Sequence, residues 1–129
     1  MSKKKANELY LGLNGNRKHN CAQAVIAAFM DTFPINEETL AEFASCGGGK
    51  APGGECGALY AAQYILEKFK PEYVDKCKDL FLQAAGSTKC KEIRSLKKIP
   101  CVGCVEKAAE ILEEIEENGA TPLTSRKCK

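Results

Sequence analysis

The chain has 129 residues, of which 44% are hydrophobic, and its 19 basic and 17 acidic residues leave a net charge of +2. This length predicts one domain that can bury about two-thirds of its unfolded surface without covalent staples. The near-balanced charge excludes the bulk field that would gather nucleic acid. The main departure from an ordinary globular composition is the number of cysteines, which is eight.

The first residues are basic, but no apolar segment of adequate length follows them before polar Asn14, so we predict no secretory signal. The longest apolar stretch, Cys56 to Leu66, is too short to span a membrane and is interrupted by Gln63. We therefore expect a soluble cytoplasmic protein without membrane contact, whose ends at about residues 1–6 and 120–129 are flexible. Thiols stay reduced in that compartment, where a cysteine-rich pattern indicates metal binding or catalysis more often than a disulfide framework.

The first two predicted helices each follow an asparagine that can cap them. Asn20 precedes apolar residues at three- and four-residue spacing, which predicts a helix as far as about Phe33, and Pro34 ends it. Asn36 precedes two glutamates in a first turn, where negative charge suits the helix dipole, and this pattern predicts a helix through Ala44.

The most apolar helix is predicted from about Glu55 to Phe69. Four small residues would let neighbouring backbones approach its flanks closely, so we expect it to be the central helix. These small residues are Gly57, Ala58, Ala61 and Ala62. The preceding segment, Gly47–Gly54, lacks the pattern of a phosphate-binding loop, and no strand is predicted before it. We interpret it as a tight turn that brings Cys56 close to other sulfurs.

Two shorter helices are predicted after the central one. Pro71 opens the first, and Gly86 ends it because glycine readily adopts the left-handed conformation of a helix terminus. Ser87 is then predicted to cap a short helix over Thr88–Leu96. The inward stripe of the first of these helices is predicted to comprise Val74, Cys77, Phe81 and Ala84.

The last predicted helix follows Pro100 and runs to about Asn118. Its apolar face comprises Cys101, Val105, Ala108, Leu112 and Ile115. The sequence shows neither strand-period alternation nor a long linker. We therefore predict an all-α fold, a compact bundle of five or six helices in a single domain over residues 1–129.

Four cysteines are each predicted to stand in the first turn of a separate helix: Cys21, Cys56, Cys90 and Cys101. Unpaired backbone N–H groups and the positive end of the helix dipole favour a thiolate there. Cys104 completes a C-x-x-C motif with Cys101, so one turn later it can form a disulfide or share a metal. A thioredoxin fold needs strands that this sequence does not predict, so the motif indicates redox or metal chemistry without that fold.

Basic residues accompany two of these four cysteines. Lys89 and Lys91 flank Cys90, and we expect their charges to lower the pKa of its thiol. His19, the only histidine, stands two residues before Cys21. It can be a base that activates a nucleophile, a mixed nitrogen and sulfur metal ligand, or a solvent-exposed residue before a helix.

The remaining cysteines carry less functional information. Cys77 falls on the apolar stripe of its helix and is interpreted as a packing residue. Cys128 belongs to the loose tail. Cys46 precedes three glycines, and whether it joins Cys56 across the glycine-rich turn is undecided.

Four short motifs, each containing a cysteine, follow one another along the chain. They are Asn20-Cys21-Ala22-Gln23-Ala24-Val25, Gly54-Glu55-Cys56-Gly57-Ala58-Leu59, Gly86-Ser87 followed by Cys90, and Cys101 followed by Val105. The set resembles the C_GCAxxG_C_C family of small proteins, for which redox activity is inferred and no reaction is assigned. The resemblance covers about residues 15–115 and implies that Cys21, Cys56, Cys90 and Cys101 are the signature cysteines. The chain departs from the family pattern at Ala61, where a glycine is usual.

Three functions fit these residues. The leading hypothesis is an electron-transfer protein whose iron–sulfur cluster or other metal is bound by Cys21, Cys56, Cys90 and Cys101, with Cys104 as substitute ligand. The second is a metal-free dithiol carrier, in which Cys101 or Cys56 attacks a partner's disulfide and a neighbour such as Cys104 resolves the mixed disulfide. The third is a structural zinc site on the same four sulfurs. The first two require a redox partner protein and make the chain an oxidoreductase or an electron carrier.

Overall fold

A computed structural model describes residues 2–13, 15, 18–30, 32–45 and 52–117. Short 3₁₀ turns cover Phe43–Ser45, Pro52–Gly54 and Pro71–Tyr73. The described ranges contain seven α-helices and no strand, so the all-α prediction is confirmed, whereas the predicted count of five or six is too low. The helices are α1 (Ser2–Leu11), α2 (Cys21–Ala28), α3 (Glu37–Glu42), α4 (Gly57–Phe69), α5 (Val74–Ala85), α6 (Cys90–Leu96) and α7 (Cys101–Glu117).

The additional helix is α1, which occupies a segment that we expected to be partly a flexible end. Its Ala6 and Leu9 are buried, and it packs against α2 and α7, while Lys4 and Lys5 stay exposed. The sequence gives only a weak signal for this helix, because few of its residues are apolar and three consecutive lysines precede them. Tertiary packing supplies most of the stability of such a short helix. The other end expected to be flexible, 120–129, lies outside the described residues.

The helix predicted to reach about Phe33 is shorter than expected. α2 ends at Ala28, where the Phe29 N–H donates to the Ile26 carbonyl at 3.1 Å and closes a tight turn. The Phe33 ring stacks on the Phe69 ring at the end of α4, with 5.2 Å between centroids. This aromatic contact buries Phe33 without a longer helix.

The core lies around α4 and α7. α4 packs against α2, α5 and α7, and its Ala58, Ala61 and Ala62 are fully buried, so the central position predicted from small residues is confirmed. α7 shares that position, since it packs against α1, α2, α4 and α5. On α5 the buried stripe is Cys77, Phe81 and Ala85 instead of the predicted set ending at Ala84, which is half-buried.

Two asparagine caps confirm the predicted starts of α2 and α3. Asn20 Oδ1 accepts the Gln23 N–H at 2.7 Å, and Asn36 Oδ1 accepts the Thr39 N–H at 2.9 Å. Asn20 differs because its Nδ2 also donates to the carbonyl oxygens of Phe43 and Ala44, at 3.1 and 3.0 Å. One side chain therefore starts α2 and ties it to the turn that follows α3.

This difference gives a matched pair of variants. We expect Asn36→Ala to lower the free energy of unfolding by about 1 kcal/mol, the usual effect of losing a cap. Asn20→Ala should lower it by about 2 kcal/mol, because two further hydrogen bonds are lost with the cap. Urea denaturation followed by circular dichroism measures both values. Equal losses in the two variants would show that the bonds to Phe43 and Ala44 contribute nothing.

Candidate functional site

The starts of four helices carry the cysteines that the sequence singled out. α2, α6 and α7 begin at Cys21, Cys90 and Cys101, and Cys56 is the residue before the first turn of α4. The predicted placement of these four residues at separate helix starts is confirmed. Cys104 follows Cys101 by one turn of α7 and is buried. N–H groups at such helix starts favour negative charge on a nearby sulfur.

A short backbone pairing brings the starts of α4 and α6 side by side. Glu55 and Lys89 form an isolated antiparallel bridge, and the Cys56 N–H donates to the Thr88 carbonyl at 2.8 Å. Lys89 Nζ reinforces the pairing by donating to the Gly53 carbonyl at 2.8 Å. Gly53 has a φ of 72°, which favours glycine at this turn. The rest of the predicted glycine-rich turn, 47–51, lies outside the described residues.

The cysteine-bearing helix starts surround one cavity of about 210 Å³. Five of the six described cysteines line it, and none of the six is in a disulfide. The cavity therefore brings together all five cysteines predicted to form the site. Cys77 lies elsewhere in the core, and Cys46 and Cys128 lie outside the described residues. The lining residues are Tyr10, Lys18, His19, Asn20, Cys21, Cys56, Cys90, Ile93, Arg94, Cys101 and Cys104.

Cys56 and Cys104 form a hydrogen-bonded thiol pair inside this cavity. The Cys104 thiol donates to the Cys56 sulfur and lowers the pKa of Cys56 to about 7, against the opposing effect of burial. The backbone N–H groups of Leu59 and Ala58 lower it further. The same hydrogen bond, together with burial, raises the pKa of Cys104 well above its ordinary value. The pair thus holds one proton on Cys104 and a thiolate on Cys56 near neutral pH.

Cys101 has a different environment at the more exposed side of the cavity. It is half-buried, and its sulfur forms hydrogen bonds with the Tyr10 hydroxyl and the Arg94 guanidinium. Burial raises the pKa of Tyr10, and the neighbouring sulfurs of Cys101 and Cys21 raise it further. The bond to Cys101 raises the pKa of Arg94. An always-charged guanidinium therefore faces the accessible sulfur of the C-x-x-C motif.

The prediction for the Cys90 thiol is wrong. Its pKa is raised, chiefly by burial, whereas Lys89 and Lys91 were expected to lower it. The Lys89 ammonium is directed to the Gly53 carbonyl, and the cation that does lower the pKa of Cys90 is Arg94, one turn along α6. Neighbours in sequence point to different sides of a helix, while residues four apart share one face.

A family comparison identifies the same region. The model of a family described as "Putative redox-active protein (C_GCAxxG_C_C)" matches residues 19–115, most of the chain and all five cysteines of the cavity. The chain belongs to the C_GCAxxG_C_C family. No curated protein and no solved structure matches it.

Ala61, where the C_GCAxxG_C_C pattern usually has glycine, is fully buried within α4. The packing of α4 therefore accommodates a methyl group at this position. His19 lines the cavity, and its backbone N–H donates to the Leu9 carbonyl at 2.9 Å, which joins the start of α2 to α1. Of the three alternatives for His19, the solvent-exposed residue does not fit, since His19 is half-buried.

Cys77 is a packing residue in this C_GCAxxG_C_C protein. It is fully buried on α5, and burial together with the charge of Glu55 raises the pKa of its thiol to about 12. A thiol that keeps its proton at neutral pH is a poor nucleophile. Cys77 is therefore a suitable internal control for the reactive cysteines.

Tyr10 and Arg94 are cavity residues that sequence reasoning missed. Arg94 lies four residues after Cys90, a spacing that places both on one face of α6 and that was readable in the sequence. Tyr10 lies on α1 and reaches the site only through the packing of α1 against α2 and α7, so no local signal identifies it.

The described residues contain no group of three or more His, Cys, Asp and Glu side chains arranged to hold a metal ion. The five thiols therefore share a cavity without being gathered at metal-ligating separations.

None of the helices in the described part of the chain combines the length and apolar character that a membrane span requires.

Proposed function

We propose that the protein is a thiol–disulfide redox carrier in which Cys56 and Cys104 alternate between dithiol and disulfide. The observation that carries this proposal is the hydrogen bond between the two thiols inside a cavity lined by five cysteines. In this reaction the pair transfers two electrons and the proton of Cys104 to a partner's disulfide, and a second proton comes from water. That disulfide becomes two thiols as the Cys56–Cys104 bond forms.

The contact between the two sulfurs suits this exchange. Two sulfurs in hydrogen-bond contact need only a small approach to reach the bond length of a disulfide, about 2.05 Å. Cys56 supplies the thiolate of the pair, because its pKa is about 7. Its stabilised thiolate also favours the reduced state, which makes the disulfide form an oxidant.

Burial restricts which molecules reach the pair. Cys56 is 5% exposed and Cys104 is 3% exposed, so solvent has little direct access to either sulfur. A shielded pair resists uncontrolled oxidation, since susceptibility follows thiolate character and exposure together. The carrier thus exchanges electrons through the cavity instead of across an open surface.

Oxidation followed by mapping of the disulfide tests the proposal. The reduced protein is treated with a small disulfide, the remaining thiols are alkylated, and peptides are identified by mass spectrometry. We expect the Cys56–Cys104 bond to be the main product and to revert on reduction. Cys104→Ser should abolish it, and Cys77→Ala, which changes a buried thiol outside the cavity, should leave it intact. Oxidation that never joins Cys56 to Cys104 would contradict the proposal.

A second candidate is an iron–sulfur or other metal-thiolate site for electron transfer. The observation that favours it is the convergence of Cys21, Cys56, Cys90 and Cys101 on one cavity from four helix starts. Thiolates are the ligands of iron–sulfur clusters, so the donor chemistry fits, with Cys104 as a replacement ligand. Because no metal-holding group is present among the described side chains, the sulfurs would have to move closer together. The same sulfurs could instead hold a structural zinc ion.

Protein purified without oxygen separates these candidates. A cluster would give a brown sample containing iron and acid-labile sulfide, and a zinc site would give a colourless sample with stoichiometric zinc. The dithiol carrier should be colourless and metal-free, with a titratable Cys56–Cys104 pair. Stoichiometric metal in a sample whose Cys56 cannot be alkylated would replace the carrier proposal by a metal site.

A further inference from the structure

The cavity has a cationic rim, which we define as Lys18 and Arg94; His19 also lines the cavity. The lysine and arginine side chains are exposed, and the histidine is half-buried. No carboxylate is found among the described residues that line the cavity. A concave, largely apolar site bordered by one sign of charge attracts ligands of the opposite sign.

The acidic residues near the cavity-forming helices have other partners. Glu92 Oε1 accepts the Ser87 hydroxyl at 2.6 Å, and Glu55 Oε2 accepts the Gln63 amide at 3.1 Å. Neither carboxylate lines the cavity, although the charge of Glu55 is close enough to raise the pKa of Cys56. A ligand that enters the cavity meets positive charge first.

Cys101 is the sulfur best placed to meet such a ligand. It is more exposed than Cys56 and Cys104, and it contacts Arg94 of the cationic rim. Cys104 follows it by one helical turn, and Cys104 also contacts Cys56. The three sulfurs therefore form a connected path from the accessible side of the cavity to the buried pair.

We propose, on the basis of the carrier function above, that the cavity selects a small disulfide bearing negative charge and that Cys101 is the first thiol to attack it. The cationic rim recognises the carboxylate or other anionic group of the substrate. The size of the cavity, about 210 Å³, favours a low-molecular-weight disulfide over a protein segment.

The reaction then proceeds by successive thiol–disulfide exchanges. The deprotonated Cys101 sulfur attacks one substrate sulfur, forms a mixed disulfide and releases the first substrate half as a thiolate. Cys104 passes its proton to Cys56, attacks the Cys101 sulfur and releases the second half. Cys56, after losing that proton to a departing substrate thiolate, attacks Cys104 and frees Cys101. The substrate gains two electrons; one of its halves takes the Cys104 proton, relayed by Cys56, and the other takes a proton from water, while the protein ends with a Cys56–Cys104 disulfide.

Three disulfides of different charge test the selection. The probes are dithiobis(nitrobenzoate), which carries two carboxylates, neutral dithiodipyridine, and cystamine, which carries two ammonium groups. Each rate of oxidation is divided by the rate of the same probe with a small free thiol, which removes intrinsic reactivity. We expect the anionic probe to exceed cystamine about tenfold in this ratio at low salt, because a cationic cleft raises the encounter rate. Added salt should reduce the difference.

Variants locate the source of the preference. Arg94→Gln and Lys18→Gln should each lower the normalised rate of the anionic probe about threefold, the effect of one charge at about 6 Å in water. Lys91→Gln removes the same charge from a residue that does not line the cavity and should change nothing. Cys101→Ser should slow formation of the Cys56–Cys104 disulfide about tenfold or more, since the buried pair loses its accessible partner.

The outcomes distinguish this inference from the carrier function. Equal normalised rates for all three probes, with a Cys56–Cys104 disulfide formed in each case, would overturn the charge selection and leave the carrier function standing. Unchanged oxidation of a folded Cys101→Ser variant would overturn the role of Cys101. Failure of every probe to produce the Cys56–Cys104 bond would overturn the carrier function itself.

Discussion

Replacing Cys104 by alanine is expected to slow alkylation of Cys56 near neutral pH by about tenfold. The largest influence that lowers the pKa of Cys56 is the hydrogen bond from Cys104. Without it, burial acts against the two backbone N–H groups alone, and the midpoint of Cys56 alkylation should move from about 7 to higher pH. Iodoacetamide labelling of individual cysteines, quantified by mass spectrometry across pH, measures this midpoint.

The matched control is Cys77→Ala, which removes a thiol that has no contact with the cavity. Its Cys56 midpoint should stay at about 7. A Cys56 midpoint that is the same in Cys104→Ala and in the unchanged protein would show that the hydrogen bond does not hold the thiolate. The unchanged protein should also alkylate Cys77 last, because the pKa of that buried thiol is raised to about 12.

The Cys56–Cys104 pair also makes the free energy of unfolding depend on pH. Between about 7 and the ordinary thiol value of 9.0, the folded pair has lost one proton while the unfolded chain retains both. Stability should therefore rise with pH across this window. Above it, the unfolded chain loses both protons while folded Cys104 keeps one, because its pKa is raised, and this contribution declines again.

Replacing Leu112 by alanine is expected to lower the free energy of unfolding by about 3 kcal/mol. Leu112 is fully buried on α7, the helix that packs against α1, α2, α4 and α5. Truncation removes apolar contacts and leaves a cavity that closely packed neighbours fill only in part. Because a domain of this size has a total stability of about 5–15 kcal/mol, the loss is a large share of it.

Leu82→Ala is the matched control, since it makes the same chemical change on α5 at a side chain that is 43% exposed. Its loss should be less than about 1 kcal/mol. Denaturant unfolding followed by circular dichroism compares the two variants. Similar values would mean that α7 is not the packed centre of the bundle. The Leu112→Ala protein that remains folded should retain the Cys56 alkylation midpoint, because Leu112 does not line the cavity.

Local signals were sufficient for most helix boundaries. Asn20 and Asn36 make the cap hydrogen bonds expected of them, and Gly86 ends α5 with a φ of 86°. The prediction that Ser87 caps α6 is wrong, since α6 begins at Cys90; the Ser87 hydroxyl instead donates to Glu92 and accepts the Lys89 N–H. A capping side chain can bond to N–H groups two or three residues further on, so the sequence locates the start of a helix only to within about two residues.

The helical class, the family and the placement of four cysteines at helix starts can be read from the residues alone, because helix periodicity, caps and cysteine spacing are local properties. The partners of the thiols cannot: that Cys104 pairs with Cys56 at the start of α4, while Cys101 contacts Tyr10 and Arg94, emerges only in the folded protein. The physical reason is that partner choice depends on how α1, α4, α6 and α7 pack. That packing arises from contacts distant in the chain, and it sets the burial and hydrogen bonding that make each thiol different.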